Sequence, residues 1–200
     1  MRPGLRPYVG TARAVLLGAL LLSCAAPAEP TDSAGTTPSS PATSAPAVAG
    51  DGNTAVRPVR LRIPAIGVDS RLEDLGVTRR GRLRPPVDPQ RAGWFPGSAL
   101  PGELGAAVVA GHRDSRVGPA VFWRLTDLRS GDRMTVTRSD GVTERFEVAD
   151  VRRVSRKSFP TEEVYGATPD STLRLITCGG LYDHVRGRYL DNVLVLALSV

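Results

Sequence analysis

Arg133-Met134-Thr135-Val136-Thr137-Arg138 alternates in polarity, Asp140-Gly141 follows, and Thr143 to Val151 resumes with Phe146 and Val148 on one face. Alternation with period two puts one set of side chains on a buried face and the other in solvent, which is the pattern of a strand. Asp-Gly supplies residues that accept the positive φ of a tight turn, so the stretch predicts a β-hairpin. Outward from this hairpin, the apolar segments are short and separated by Gly, Pro and Asp turns, the pattern of an all-β sandwich or barrel. Ala106 to Ala110, Leu173 to Thr177 and Val193 to Leu198 are more continuously apolar, as strands buried on both faces should be. Helix is confined to short pieces: Pro119 to Leu128, with Phe122, Leu125 and Leu128 inward, and one turn over Pro160 to Tyr165. No internal repeat and no long amphipathic helix is present.

Before this domain the chain changes character twice. Arg2, Arg6 and Arg13 precede an uncharged run from Ala14 to Ala28. A basic start followed by an apolar run marks export. The run is short for a helix that must cross about 30 Å of hydrocarbon. Leu21-Leu22-Ser23-Cys24 resembles a bacterial lipobox, which would lipidate Cys24. An uncleaved anchor and cleavage near Ala25-Ala26 are the alternatives. The following Ala, Pro, Ser, Thr and Gly tract holds too few large apolar residues to offset its ordering entropy and predicts a disordered linker. The expected division is 1–28 export signal or anchor, 29–56 linker and 57–200 folded domain.

The net charge of +6 is carried almost entirely by arginine, since Lys157 is the only lysine. The arginines are scattered from Arg57 to Arg188 and no nucleic-acid motif accompanies them, which argues against a nucleic-acid partner.

Cys178 ends the apolar run Leu173-Arg174-Leu175-Ile176-Thr177 and is followed by Gly179-Gly180. The other cysteine, Cys24, lies in the export segment, so the domain carries a lone thiol without a disulfide partner. A small buried structural residue and a nucleophile both fit that position. His112 follows a second apolar strand, just past Gly111. Brought together, an imidazole and a thiol form a nucleophile–base pair; in isolation His112 also fits an ordinary turn residue. His184, in the loop Asp183-His184-Val185-Arg186-Gly187, reads as solvated. Cys178, His112 and His184 lack metal-ligand spacing, so neither a metal nor another cofactor is expected.

These residues resemble the sortases, cysteine transpeptidases of Gram-positive cell surfaces. Leu173, Ile176, Thr177 and Cys178 are similar to their cysteine signature, and Gly111-His112 to their histidine motif. The resemblance extends, in order, through Gly93-Trp94-Phe95, Pro101-Gly102, Gly105 and Ala110-Gly111-His112. It continues through Asp114-Ser115, Gly118-Pro119-Ala120-Val121-Phe122, Gly131-Asp132, Ile176-Thr177-Cys178-Gly179-Gly180, Tyr189 and Asp191-Asn192-Val193. It covers nearly the whole domain and is nearest to the actinobacterial class E/F group, above all class F.

The resemblance implies an eight-stranded sortase-type β-barrel with one or two short helices and a groove at one side. It implies that Cys178 attacks the Thr–Gly bond of an LPXTG-like sorting signal and that His112 protonates the departing amine. Its partners would be surface proteins bearing that signal and an amine acceptor of the cell wall or a pilin, or water, with the enzyme tethered at the outer face of the membrane. The family's third residue is an arginine on the strand after the cysteine, which donates to the developing oxyanion or positions substrate. Leu190 occupies that position here. Arg188, expected just before a strand starting near Asp191 and on the face of Leu190 and Asn192, is the first candidate; Arg186 is the second. Two other functions are compatible with parts of the sequence. An L,D-transpeptidase-like wall enzyme would place its histidine beside its cysteine. A non-catalytic surface lipoprotein built as a β-barrel binding module would keep Cys178 inert.

Overall fold

In the computed structural model, residues 55–200 are described. The export segment with Cys24, and the linker as far as Thr54, lie outside the described residues. Among the described residues no helix is long and apolar enough to cross a membrane.

Ten strands follow one another: β1 (Pro58–Ile63), β2 (Val68–Asp74), β3 (Ala92–Trp94), β4 (Gly105–Gly111), β5 (Asp114–Ser115), β6 (Gly118–Pro119), β7 (Arg133–Arg138), β8 (Thr143–Ser155), β9 (Ser171–Asp183) and β10 (Arg188–Ser199). Eight of them close into a barrel in the order β1-β2-β3-β4-β9-β10-β8-β7, and β5-β6 form a separate ribbon. This is the eight-stranded, almost helix-free barrel expected. The one α-helix among the described residues, α1, spans Thr161–Tyr165. The hairpin at Asp140-Gly141 is as read: β7 pairs antiparallel with β8, and Gly141 has φ +86°.

Alternation assigns the faces. Val136, Phe146, Val148, Leu173, Leu175, Val193, Val195 and Ala197 point into the barrel and are buried, together with Leu61 and Ile63 of β1. The outward face of β4, β9 and β10 is also apolar. Val108, Ile176 and Leu194 pack there with Val164 of α1, forming a second cluster that Phe95, Ala110 and Phe159 border. Burial on both faces explains why these strands read as continuous apolar runs.

Three expectations need correction. Pro119 to Leu128 is not a helix. The backbone N–H groups of Ala120 and Phe122 donate to the carbonyls of Arg113 and His112, which removes the segment's start from any helix. What remains closes i→i+3 bonds, ending in a 3-10 turn at Leu125–Asp127. Phe122, Leu125 and Leu128 are nonetheless buried as expected. Cys178 does not end its strand, since β9 runs on to Asp183. β10 starts at Arg188 rather than near Asp191. In both strands the extra length is a polar β-ribbon extending beyond the barrel, which apolar content does not mark.

Candidate active site

β4 and β9 lie side by side and parallel, with Ala110 paired to Ile176. Continued two residues along both strands, that register sets His112 level with Cys178. Cys178 shares the outward face of β9 with Ile176, because side chains two apart on a strand point the same way, and His112 follows directly on the end of β4. The Thr177 hydroxyl donates to the Gly111 carbonyl at 2.8 Å and ties the two strand ends together where the reactive side chains leave them. Gly111 admits no side chain: a Cβ there would lie 2.6 Å from Phe122 and 2.7 Å from Val121.

The imidazole is half-buried, and its Nε2–H donates to the Pro86 carbonyl at 2.9 Å. Pro86 belongs to the connection between β2 and β3. That connection folds into an arm through the Val77–Leu83 bridge and the bond from Arg84 N–H to the Gly76 carbonyl. It is fastened at its return by Val87 N–H donating to Glu73 at 2.6 Å. Beyond His112, Arg113 stacks between the rings of Trp123 and Tyr189, 5.0 and 5.4 Å from their centres. The Tyr189 hydroxyl donates to Asp114. These contacts anchor the segment that carries His112 to β10.

Cys178 is half-buried and free. Burial pushes its thiol above the ordinary range; Arg156 pulls it back down, Asp114 pushes it up, and Arg113 again lowers it. The guanidinium nearest the sulfur is that of Arg156, whose Nη1 donates to Sγ at 3.9 Å. Arg156 was not singled out by sequence. It sits among Arg152, Arg153 and Lys157, and only strand register distinguishes it from them.

Gly179 and Gly180 serve packing and turning. A Cβ on Gly179 would come within 2.7 Å of Val193. Gly180 has φ +75° and lies where the β9–β10 register shifts, between the Tyr189–Tyr182 and Asp191–Gly179 pairs. It is the left-handed residue of a β-bulge on β9.

A cleft of about 800 Å³ opens at Cys178. Phe95, Ala110, Phe159, Tyr165 and Ile176 give it an apolar floor, the arm contributes Val77, Leu83 and Pro85, and Asn192 and Arg156 stand at the sulfur. Phe95 and Tyr165 meet edge to face at 6.1 Å. Such a cleft fits an extended peptide with bulky apolar side chains on one side and its reacting carbonyl at the thiol.

Arg188 is exposed and pairs with Asp183. It lies four positions before Asn192, the partner of Cys178. At strand rise that is about 13 Å. It lines an adjoining depression with Arg82, Arg156, Lys157 and Leu190. Arg186 is ion-paired to Asp183 at 2.7 Å. His184 is exposed, with its ring against Tyr182. Among the described residues no group of three or more His, Cys, Asp or Glu stands where it could hold a metal ion.

The sortase-domain family matches residues 61–200. No curated protein matches the chain. Solved structures share the fold. Sortase C1 of Streptococcus agalactiae is 23% identical with a TM-score of 0.56, over 71% of this chain and 66% of that one. Sortase C-1 of Actinomyces oris is 25% identical with a TM-score of 0.54, over 71% and 73%. Sortase A of Corynebacterium diphtheriae is 25% identical with a TM-score of 0.54, over 72% and 61%. The chain thus spans about two thirds of the length of the streptococcal protein. With a closed eight-stranded barrel, a cysteine on β9 and a histidine just past the end of the parallel β4, and a family match over residues 61–200, the chain belongs to the sortase family.

Proposed function

We propose that the chain is a cysteine transpeptidase of the cell surface, of the class E/F type and within it class F, acting on an LPXTG-like sorting signal. The observation that supports this reading is a free Cys178 lining an apolar cleft, with His112 just past the end of the parallel neighbouring strand. The cleft's apolar floor suits the Leu-Pro part of such a signal, with the Thr carbonyl at the sulfur. The Cys178 thiolate attacks that carbonyl carbon and a C–S bond forms. The C–N bond to Gly breaks, and protonated His112 gives its proton to the departing amine. The incoming amine of a wall component or pilin then attacks the thioester, gives its proton to His112, and releases Cys178 as thiolate. Water in place of the amine yields hydrolysis.

The third role, assigned by sequence to Arg188 with Arg186 second, takes the form of substrate positioning. Arg188 lines the depression beside the cleft, where an extended substrate continues past the thiol. Residues 1–28 act as export signal and anchor, through lipidation of Cys24 or by staying uncleaved. Residues 29–56 are a linker, and 57–200 the catalytic domain facing outward.

Incubation with a panel of LPXTG-like peptides, followed by mass spectrometry of the intact protein, tests the reading. A thioacyl adduct on Cys178 is expected, lost in Cys178→Ala. No adduct with any peptide, together with a thiol inert to iodoacetamide until denatured, would establish a non-catalytic binding module instead. The L,D-transpeptidase alternative has lost its ground, since the matching family is the sortase domain.

A further inference from the structure

In the register between β8 and β10, Asp191 pairs with Ser155 and Asn192 with Val154. The next step along brings Leu190 level with Arg156. Asn192 in turn is the partner of Cys178 on the other side of β10. Leu190, Asn192 and Cys178 share the outward face, and so do Val154 and Arg156, two apart on the adjoining strand. Arg156 therefore starts one strand beyond Leu190 and reaches across β10 to the sulfur, where its Nη1 stands 3.9 Å from Sγ. Leu190 and Arg156 line the same depression, and an apolar, half-exposed Leu190 competes for no acceptor there.

From this geometry we propose that Arg156 is the guanidinium of the reaction: it stabilises the Cys178 thiolate and donates to the oxygen that becomes negative when the acyl carbonyl is attacked. The sequence places no arginine at Leu190, and Arg156 supplies the same charge from the neighbouring strand. The proposal rests on the transpeptidase reading for its second half only.

Three further features support it. Arg156 is the first residue after β8, in a 3-10 turn whose start is capped by Ser155 accepting from Lys157 N–H at 3.2 Å. The side chain thus leaves a fixed backbone. No carboxylate lies within ion-pair distance of it among the described residues, whereas neighbouring Arg152 is held by Asp150 and Glu163. Arg156 also faces both the cleft and the adjoining depression, so it stands at the point where a peptide passes the thiol. A planar guanidinium presents several N–H groups at once, so one can remain near sulfur while another meets the carbonyl oxygen.

The test compares Arg156→Ala, Arg156→Lys, Arg188→Ala and the double variant Arg156→Ala with Leu190→Arg, each first checked for an unchanged melting transition. The first readout is the rate of iodoacetamide alkylation of Cys178 against pH, which needs no peptide. Arg156→Ala is expected to move its midpoint to higher pH, and Arg156→Lys to leave it near that of the starting protein. The second is turnover of an LPXTG-like peptide. Arg156→Ala should lose about 100- to 1,000-fold in kcat, the usual cost of removing one oxyanion donor, with KM little changed. Arg156→Lys should recover little of it, and Leu190→Arg in the Arg156→Ala background should restore a large part. An unmoved alkylation midpoint in Arg156→Ala overturns the thiolate contact. A loss confined to Arg188→Ala overturns the assignment in favour of Arg188. If the starting protein forms no adduct at all, the transpeptidase reading fails, while the alkylation midpoint still decides the Arg156–Cys178 contact.

Discussion

Burial holds the Cys178 thiol protonated more strongly than Arg156 and Arg113 draw it toward the thiolate. Its alkylation rate should therefore climb with pH through a range above that of an unstructured cysteine, and the midpoint should fall when the protein is unfolded in urea. The sign for stability follows. The folded state keeps this proton more tightly than the unfolded chain, so its contribution is full below the ordinary thiol range and is lost as pH rises from there through the raised range of the folded protein. Cys178→Ala should abolish the thioacyl adduct and leave the melting transition nearly unchanged, because a half-buried strand position accepts a smaller side chain. His112→Ala should lower turnover by roughly 100- to 10,000-fold, the contribution of general acid–base catalysis, with His184→Ala near neutral. Steady-state kinetics on one peptide would rank them. Cys178 and His112 are legible in the sequence because each follows a mainly apolar run within a motif that resembles the sortase signatures. Arg156 is not. Its place depends on pairing across two strands, and four basic residues crowd the stretch from Arg152 to Lys157 without any local mark to choose among them.

At the scale of single elements, turns and strand centres were readable and strand ends were not. Asp140-Gly141 carries its conformation in its composition. The far ends of β9 and β10 form a ribbon of tyrosines, charges and loop residues, held by the Tyr182–Tyr189 ring contact and backbone pairing, and neither leaves a hydrophobic pattern. The bulge at Gly180 is similarly hidden, since a Gly-Gly pair after a cysteine reads equally as a loop. It makes a sharp prediction. A Cβ at Gly180 would fall 2.1 Å from the Asp191 carboxylate, and φ +75° is disfavoured for any L side chain. Gly180→Ala should destabilise the protein by about 1–3 kcal/mol, the range for a residue forced into strained backbone. A urea titration would read it. A loss below half that value would mean that the bulge relaxes.

Across the whole molecule, the core and the site occupy opposite faces of the same three strands, β4, β9 and β10. The inner face is closed by Phe146, fully buried, with Leu173 and Val193. Phe146→Ala should cost about 3–5 kcal/mol, as large-to-small changes in a packed core do, and should lower the thermal midpoint with kcat little altered below it. A fragment beginning at Arg57 should fold by itself and process peptide, since the described barrel draws all its strands from Pro58 onward. From the residue pattern barrel closure is legible only as a class, and its eight strands come from the family resemblance. The sequence shows many short strands, while the parallel pairing of β4 with β9, on which the site depends, joins segments too distant for any local signal.

That distance has a kinetic consequence. β10 is the last of the described strands yet lies between β8 and β9, so both neighbours present open edges until it is in place. Closing the parallel pair means bringing together residues such as Gly111 and Thr177, 66 positions apart. The loop entropy of such contacts is lost before they repay it, which puts barrels of this kind among slow folders, on the order of milliseconds to seconds. Nucleophile and base are therefore expected to acquire their geometry with these long-range contacts and not with the local hairpins. A refolding experiment that follows thiol protection and tryptophan emission together should find the two rising in a single phase, and a chain shortened to end at Asn192 should show neither.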